Sequence, residues 1–306
     1  MADAWPPLSY GEWSATCDTL HAHTQALGKL AVELAPPQPQ LQHAALQLTA
    51  RGWETLALPA PDGSGAIVAT LDLHTHEAVI EHSGGRETRV PLTPNRPVAE
   101  VTREVLEAVE RLAGAVRINP APQEVPWQVP LDEDYEHSTY DTDQVATYFD
   151  AATQAALVLA EFRAPFRGRS TPVNAWWGTF DLAVSFFSGR PADPPSDDFI
   201  MRNGGDAEQI GIGWWPGDPN HEKAAFFALA YPAPDGFANA TISPDEARWD
   251  PQLLEYVLDW EAIRDSPDPH ALVLEFARSA FLHACGVCNW DPWLAATVEG
   301  VPPPIR

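Results

Sequence analysis

The stretch Glu161–Arg190, EFRAPFRGRSTPVNAWWGTFDLAVSFFSGR, constrains the fold of this chain most. It closes a helix, turns through a basic Gly/Pro segment and enters the most apolar strand of the protein. Period-two alternation over 175–187 puts Trp176, Phe180, Leu182, Val184 and Phe186 on one face, an ordinary core face. The other face carries Ala175, Trp177, Thr179, Asp181, Ala183, Ser185 and Phe187. Two aromatic rings, two hydroxyls and a carboxylate suit a partly covered pocket wall. Asp181 reads in two ways, as a group facing a ligand or as a core carboxylate satisfied by amides or an arginine. Arg167, Arg169 and Arg190 bracket the strand and serve as partners in either case.

The rest of the chain alternates helices with short strands. Trp13, Cys17, Leu20, Thr24, Leu27, Ala31 and Leu34 alternate spacings of three and four, which predicts a helix over 10–34 with a buried seam. Beside that seam runs a polar stripe of His21, Gln25, Gly28 and Lys29. A glycine inside a helix marks a close approach by a neighbour or a ligand, or simple helix packing. Pro36, Pro37 and Pro39 stop the helix. Strands are predicted over 42–55, 66–73, 77–82 and 87–92, an amphipathic helix over 98–113 and a short strand over 116–118. The segment 119–130, with four prolines, reads as an inter-repeat linker. LDEDYEHSTYDTDQ leads into a helix over 142–162, with Asp141 as N-cap and Gln144 three residues on. Residues 191–207 read as a loop or lid, 210–215 and 225–231 as a hairpin, and 251–264 and 268–284 as helices.

An internal likeness accompanies this order. The helix segment from Thr24-Gln25 to Glu33-Leu34 resembles that from Thr153-Gln154 to Glu161-Phe162 with one residue deleted. Strands and a further amphipathic helix follow each. The expected architecture is α+β: two degenerate helix–strands–helix repeats, with mainly antiparallel sheets packed about a pseudo-two-fold axis. The repeats would span 1–118 and 131–306, joined by 119–130.

Ordered motifs along nearly the whole chain carry a family resemblance. They are W-P-P-L near the start, L-H-x-x-T-Q-x-x-G-K at 20–29, T-A-R-G at 49–52, D-E-D-x-E-H-x-x-Y-D at 132–141, and T-P-V-N-x-W-W-G-T-F-D-L-A at 171–183 with F-S-G-R after it. G-x-W-W-P-G near 213–217 and A-Y-P-x-P-x-G-F near 230–237 complete the set. In these the chain resembles the bacterial domain-of-unknown-function family five-nine-nine-six. The resemblance implies a shared fold and no particular activity. Two positions depart from the family pattern, Asn174 and Ala207, where histidine is usual.

A net charge of -25 argues against attraction to nucleic acid or to an anionic membrane. The opening MADAWPPLSYGEW has no basic run leading into an apolar one, so no secretory leader is read there. Three sparse cysteines suit a reducing compartment, and the expected location is the cytoplasm. Cys285-x-x-Cys288 after His283 has redox or zinc spacing, but small thiols packing at a helix end read equally well. Asp132, Asp134 and Glu136 are spaced like the start of a calcium loop, yet His137 stands where such a loop needs glycine. There is no phosphate-binding glycine loop, no G-x-S-x-G and no H-E-x-x-H.

The sequence therefore predicts a small-molecule site in a polar-aromatic cleft between the repeats. The acid/base candidates are His137, Asp181 and Glu208. His21, Gln25, Lys29, Arg51, Arg169, Asn174, Trp177 and Trp215 are ligand contacts, with Lys29 and Arg169 facing anions. The sequence singles out no metal ligand and no cofactor. The alternatives are an interaction module with an acidic surface, or a metal enzyme using the histidines and the acidic segment.

Overall fold

A computed structural model describes residues 5–300. Contacts divide the chain into two compact units. The N-terminal unit holds Tyr10–Phe149 and Asn174–Asp181; the C-terminal unit holds the remaining described residues.

In the N-terminal unit, helix α1 (Tyr10–Leu34) has the predicted bounds. Nearly every residue from Thr16 to Ala31 is buried, the polar stripe included, so α1 is a central helix rather than a surface one. A sheet follows from β1 (Gln47–Leu48), β2 (Gly52–Glu54), β3 (Leu58–Pro59), β4 (Ala66–Asp72), β5 (Glu77–His82) and β6 (Arg86–Pro91). It is antiparallel in the order β1-β2-β4-β5-β6, with β3 also on β4. The single strand expected over 42–55 is instead a tight hairpin pairing Leu48 with Trp53. Gly52 makes the fold-back possible: its φ is 140°, and a Cβ there would lie 2.1 Å from the Leu71 carbonyl oxygen.

Helix α2 (Val98–Ala113) buries Val98, Val101, Val105, Val109 and Leu112. Its free N-terminal amides are satisfied by the acidic turn: Val98 N–H donates to the His137 carbonyl (2.9 Å) and Ala99 N–H to that of Asp134 (2.9 Å). No strand forms over 116–118. The proline-rich stretch lies on this unit as a strap with tied ends, since Leu131 N–H donates to the Pro120 carbonyl at 2.9 Å. Helix α3 (Thr142–Arg163) starts in this unit and continues into the other. Asp141 caps it, its Oδ1 accepting from the Asp143 and Gln144 amides at 3.0 Å each. The Gln144 side chain bonds the Glu12 carbonyl instead of closing a capping box. Strand β7 (Asn174–Trp176) then bridges Ala175 to Leu46.

The long strand expected over 175–187 is broken. Residues 177–180 form a turn, and β8 (Asp181–Pro191) starts only after it. Phe180 breaks the alternation by adopting a φ of 61°, a left-handed conformation rare for a bulky residue.

The C-terminal unit contains most of β8, helix α4 (Phe199–Gly204), β9 (Ala207–Trp215), β10 (Ala225–Tyr231), β11 (Arg248–Asp250) and β12 (Glu255–Asp259). Its sheet is antiparallel in the order β11-β12-β10-β9-β8, and β9–β10 is the predicted hairpin. Helices α5 (Trp260–Arg264), α6 (Pro269–Val287) and α7 (Pro292–Thr297) follow. The helix expected over 251–264 is limited to α5, because Glu255–Asp259 is drawn into the sheet between β10 and β11. The fold class is thus α+β with two antiparallel sheets. Among the described residues no helix is long and apolar enough to cross a membrane.

Candidate functional site

His21, Gln25 and Lys29 stand four residues apart on α1 and so share one line along the helix. All three are buried. Trp177, from the turn after β7, lies across this line. Its ring packs on Gly28 so closely that a Cβ there would fall 2.1 Å from the ring atoms, which explains the mid-helix glycine. The Lys29 ammonium sits 5.3 Å from the centroid of the same ring. The Trp177 indole N–H donates to the Ala44 carbonyl at 3.0 Å and fixes the ring.

The same turn sets the tautomer of His21. Its Nε2 lies 2.9 Å from the Trp177 carbonyl and 3.0 Å from that of Gly178. Two acceptors at one nitrogen require the proton on Nε2, leaving Nδ1 with its lone pair. Burial lowers the His21 pKa to about 4, outweighing the two carbonyl bonds, so the ring is neutral at neutral pH. His21 stacks on Phe180 at 4.9 Å between centroids, and Phe180 in turn stacks on Trp53 and Tyr148 at 5.1 Å each. The Trp53 indole N–H donates to the Tyr148 hydroxyl at 3.0 Å, and Trp13 stacks on Tyr148.

A second histidine is held in the opposite state. Asp134 is fully buried, and its Oδ1 accepts from the Glu136 and His137 amides at 3.0 Å each. Its Oδ2 accepts from His137 Nδ1–H at 2.7 Å. The bond from Asp134 raises the His137 pKa against the effect of burial. Burial alone would raise the Asp134 pKa, but His137 and the two amides hold it below its ordinary value. His137 Nε2 has no hydrogen-bond partner among the described residues, and its side chain is 17% exposed. Trp127 of the strap joins the two histidines, 4.8 Å from His137 and 5.5 Å from His21 between ring centroids. The L-H-x-x-T-Q-x-x-G-K, D-E-D-x-E-H and W-W-G-T-F-D segments thus meet in one unit.

Asp181 is buried at the end of the same turn and accepts from the Thr179 hydroxyl. Burial pushes its carboxyl up to about 6, against the effect of that bond. A raised acid adds stability only below its unfolded value, and the contribution is lost as pH rises through the folded value. A gap of about two units from the ordinary 3.8 makes the ionised form cost about 3 kcal/mol at most. Asp181→Asn is therefore expected to stabilise the fold at pH 7 by roughly 1–3 kcal/mol. Urea titrations at pH 7 and pH 4 test this, and the gain should vanish at the lower pH.

Not all predicted contacts join this group. Asn174 is tied up with two other amides, donating to Gln42 Oε1 at 2.9 Å and accepting from Gln47 at 3.3 Å. Arg51 is paired with Asp72 at 3.1 Å and Glu81 at 3.0 Å. Arg169, Glu208 and Trp215 belong to the C-terminal unit. There, Arg169 lies over the Phe187 ring at 4.2 Å. Glu208 accepts from Arg190 at 2.6 Å and from Ser188 at 2.9 Å. Arg190 also donates to the Cys288 carbonyl at the end of α6, so this set ties a helix end to the sheet. Trp215 packs on His221 and Phe227. Burial pushes the Cys285 and Cys288 thiols up to about 12 and about 11, away from thiolate chemistry. A groove of about 230 Å³ in this unit, lined by Phe162, Pro165, Leu274 and Arg278 among others, includes none of the candidates.

Among the described residues no three His, Cys, Asp or Glu side chains are grouped to hold a metal ion. The sequence reading missed Trp127, Phe180 and Gln123. The only signals for them were a tryptophan and one of two glutamines in a proline-rich stretch, and an aromatic in a turn mistaken for strand.

A family of unknown function (DUF5996) matches the chain over residues 5–296, and the chain belongs to that family. No curated protein and no solved structure matches it.

Proposed function

We propose that this member of a family of unknown function binds a small molecule at the α1 face of its N-terminal unit, with His137 and His21 as an acid–base pair. The observation that supports it most is the opposed setting of the two rings around Trp127. The carboxylate of Asp134 favours the protonated form of His137, while burial and two carbonyls keep His21 neutral. Titratable groups pushed apart by their surroundings divide acid and base roles between them. His137 is the proton donor, presenting Nε2–H, and His21 Nδ1 is the acceptor. Asp134 is the positioning residue that fixes the His137 tautomer. Trp127 supplies a flat apolar wall, and Asp181 is a further carboxyl with a raised pKa close to the ring stack.

A metabolite library screened by thermal shift, with hits confirmed by calorimetry, tests this proposal. The expected ligand loses at least tenfold in affinity in both His137→Gln and His21→Gln. Its binding weakens as pH rises through the His137 pKa, which lies above the ordinary 6.5, because the donor proton is then lost. Ligands indifferent to both substitutions would overturn the assignment. Side-chain nitrogen NMR of the histidines checks the tautomers independently: His21 protonated on Nε2, His137 on both nitrogens at pH 6.

A further inference from the structure

One residue of the strap meets the whole polar stripe beyond His21. The main-chain N–H of Gln123 donates to Gln25 Oε1 at 2.9 Å, and its carbonyl accepts from Gln25 Nε2 at 2.8 Å. Its side-chain Oε1 accepts from Lys29 Nζ at 3.2 Å. Gln25 thus reads a backbone amide in both directions while Lys29 reads the side chain of the same residue. Four residues on, Trp127 inserts beside His21, and its buried indole N–H has no acceptor among the described residues.

The match is chemically incomplete at Lys29. That side chain is buried, yet no carboxylate lies within ion-pair distance of it among the described residues, in a chain with 43 acidic residues against 18 lysines and arginines. A buried ammonium resting on one neutral oxygen and the face of the Trp177 ring has no countercharge, whereas buried charges are ordinarily paired. Burial lowers its pKa to about 8, so it still carries its proton at neutral pH. Glutamate has the reach of glutamine with an oxygen in place of the NH₂ group. A glutamate side chain in the place of Gln123 would therefore turn a neutral bond into a charge-assisted one.

We propose that the Gln25–Lys29 face is a recognition site for a glutamate residue flanked by amide groups, and that Gln123 occupies it in cis as an uncharged stand-in. A ligand would have to displace the strap, breaking the bonds of Gln123 to Gln25 and Lys29, while the bond between Leu131 and Pro120 keeps its ends together. The proposal rests on the α1 face being a ligand site, and it names what that site selects.

The test uses the full chain carrying Gln123→Ala, which removes the stand-in side chain from a partly exposed loop. The probes are N-acetylglutamate α-amide, its glutamine counterpart, and a peptide of residues 121–127 with glutamate at the third position. Calorimetry should show at least tenfold preference for the glutamate compound over the glutamine one, lost when Lys29→Met is added. Binding to the wild type should be weaker than to Gln123→Ala, because the strap competes. Tight binding by the peptide alone would identify an extended chain as the natural ligand; comparable binding by the small amide would identify a free acyl amino acid. Equal affinity for the two amides, or no binding of any glutamate probe to a variant that melts cooperatively, would overturn the proposal.

A ligand-free readout guards against a folding defect. In Gln123→Glu, acylation of Lys29 at pH 8 should slow at least fivefold relative to Lys223, the only other lysine in the chain. An unchanged ratio would count against the site. Glutamate selectivity that survives His21→Gln and His137→Gln would leave this site standing while the acid–base reading fell. Histidine-dependent binding of unrelated ligands without glutamate selectivity would do the reverse.

Discussion

Replacing Asp134 by alanine is expected to lower the unfolding free energy by about 3–5 kcal/mol, among the largest effects of any single change to the N-terminal unit. The carboxylate is fully buried and accepts two amide bonds and the His137 bond. Its removal strips those amides of their acceptor and leaves His137 Nδ1–H unpaired, and the turn that satisfies the first amides of α2 loses its pin. The pair also sets a pH window. Asp134 has a lowered pKa, so its contribution is present above the ordinary 3.8 and is lost as pH falls through the folded value. His137 has a raised one, so its contribution is complete below 6.5 and is lost as pH rises through the folded value. The wild type should therefore lose stability relative to Asp134→Ala on either side of the interval between about pH 4 and 6.5. Urea titrations at pH 3, 5.5 and 8 measure this. A variant within 1 kcal/mol of wild type at pH 5.5 would show that the turn holds without its carboxylate.

Phe180→Ala should cost a similar amount, about 3–5 kcal/mol, the usual range for deleting a buried phenylalanine. The ring is 3% exposed and stacks on His21, Trp53 and Tyr148 together. The backbone makes the sharper test. At a φ of 61° a residue with a Cβ is strained by roughly 1 kcal/mol, and glycine is not. Phe180→Gly should accordingly be at least as stable as Phe180→Ala, by up to about 0.6 kcal/mol, although glycine is the smaller residue and gives back about 0.4–1 kcal/mol of that strain through its freer unfolded chain. Guanidinium denaturation of both variants decides it. Alanine proving the better replacement would mean that the turn relaxes out of the left-handed region once the ring is gone.

Much of the fold was legible in the sequence because helices announce themselves locally. Both the 10–34 and 98–113 helices stand at the bounds that spacing and proline punctuation predict. Two of the strand errors, over 42–55 and 175–187, share one cause. Gly52 and Phe180 adopt positive φ inside stretches whose alternation was unbroken, and alternation reports which side chains are apolar, not where the backbone turns. The stripe of His21, Gln25 and Lys29 was visible as polar positions beside the buried seam of a helix, though its own burial was not. Its partners Gln123 and Trp127 were not, because they arrive across about a hundred residues from a segment with no period of its own. Glu208 shows the converse. It was an acid/base candidate beside Ala207, where the family pattern has histidine, and its Oε2 accepts from Arg190 and Ser188.

The division of the chain bears on its synthesis. The unit that carries His21 and His137 is left at Phe149 and completed only when Asn174–Asp181 returns to it. A ribosome adding roughly 5–20 residues per second delivers that return some 2–6 s after the rest of the unit. During that interval Trp53 and Tyr148 lack the ring they stack on, and Gly28 faces the place Trp177 will fill. The aromatic notch of this unit is therefore closed by a segment that the ribosome delivers last.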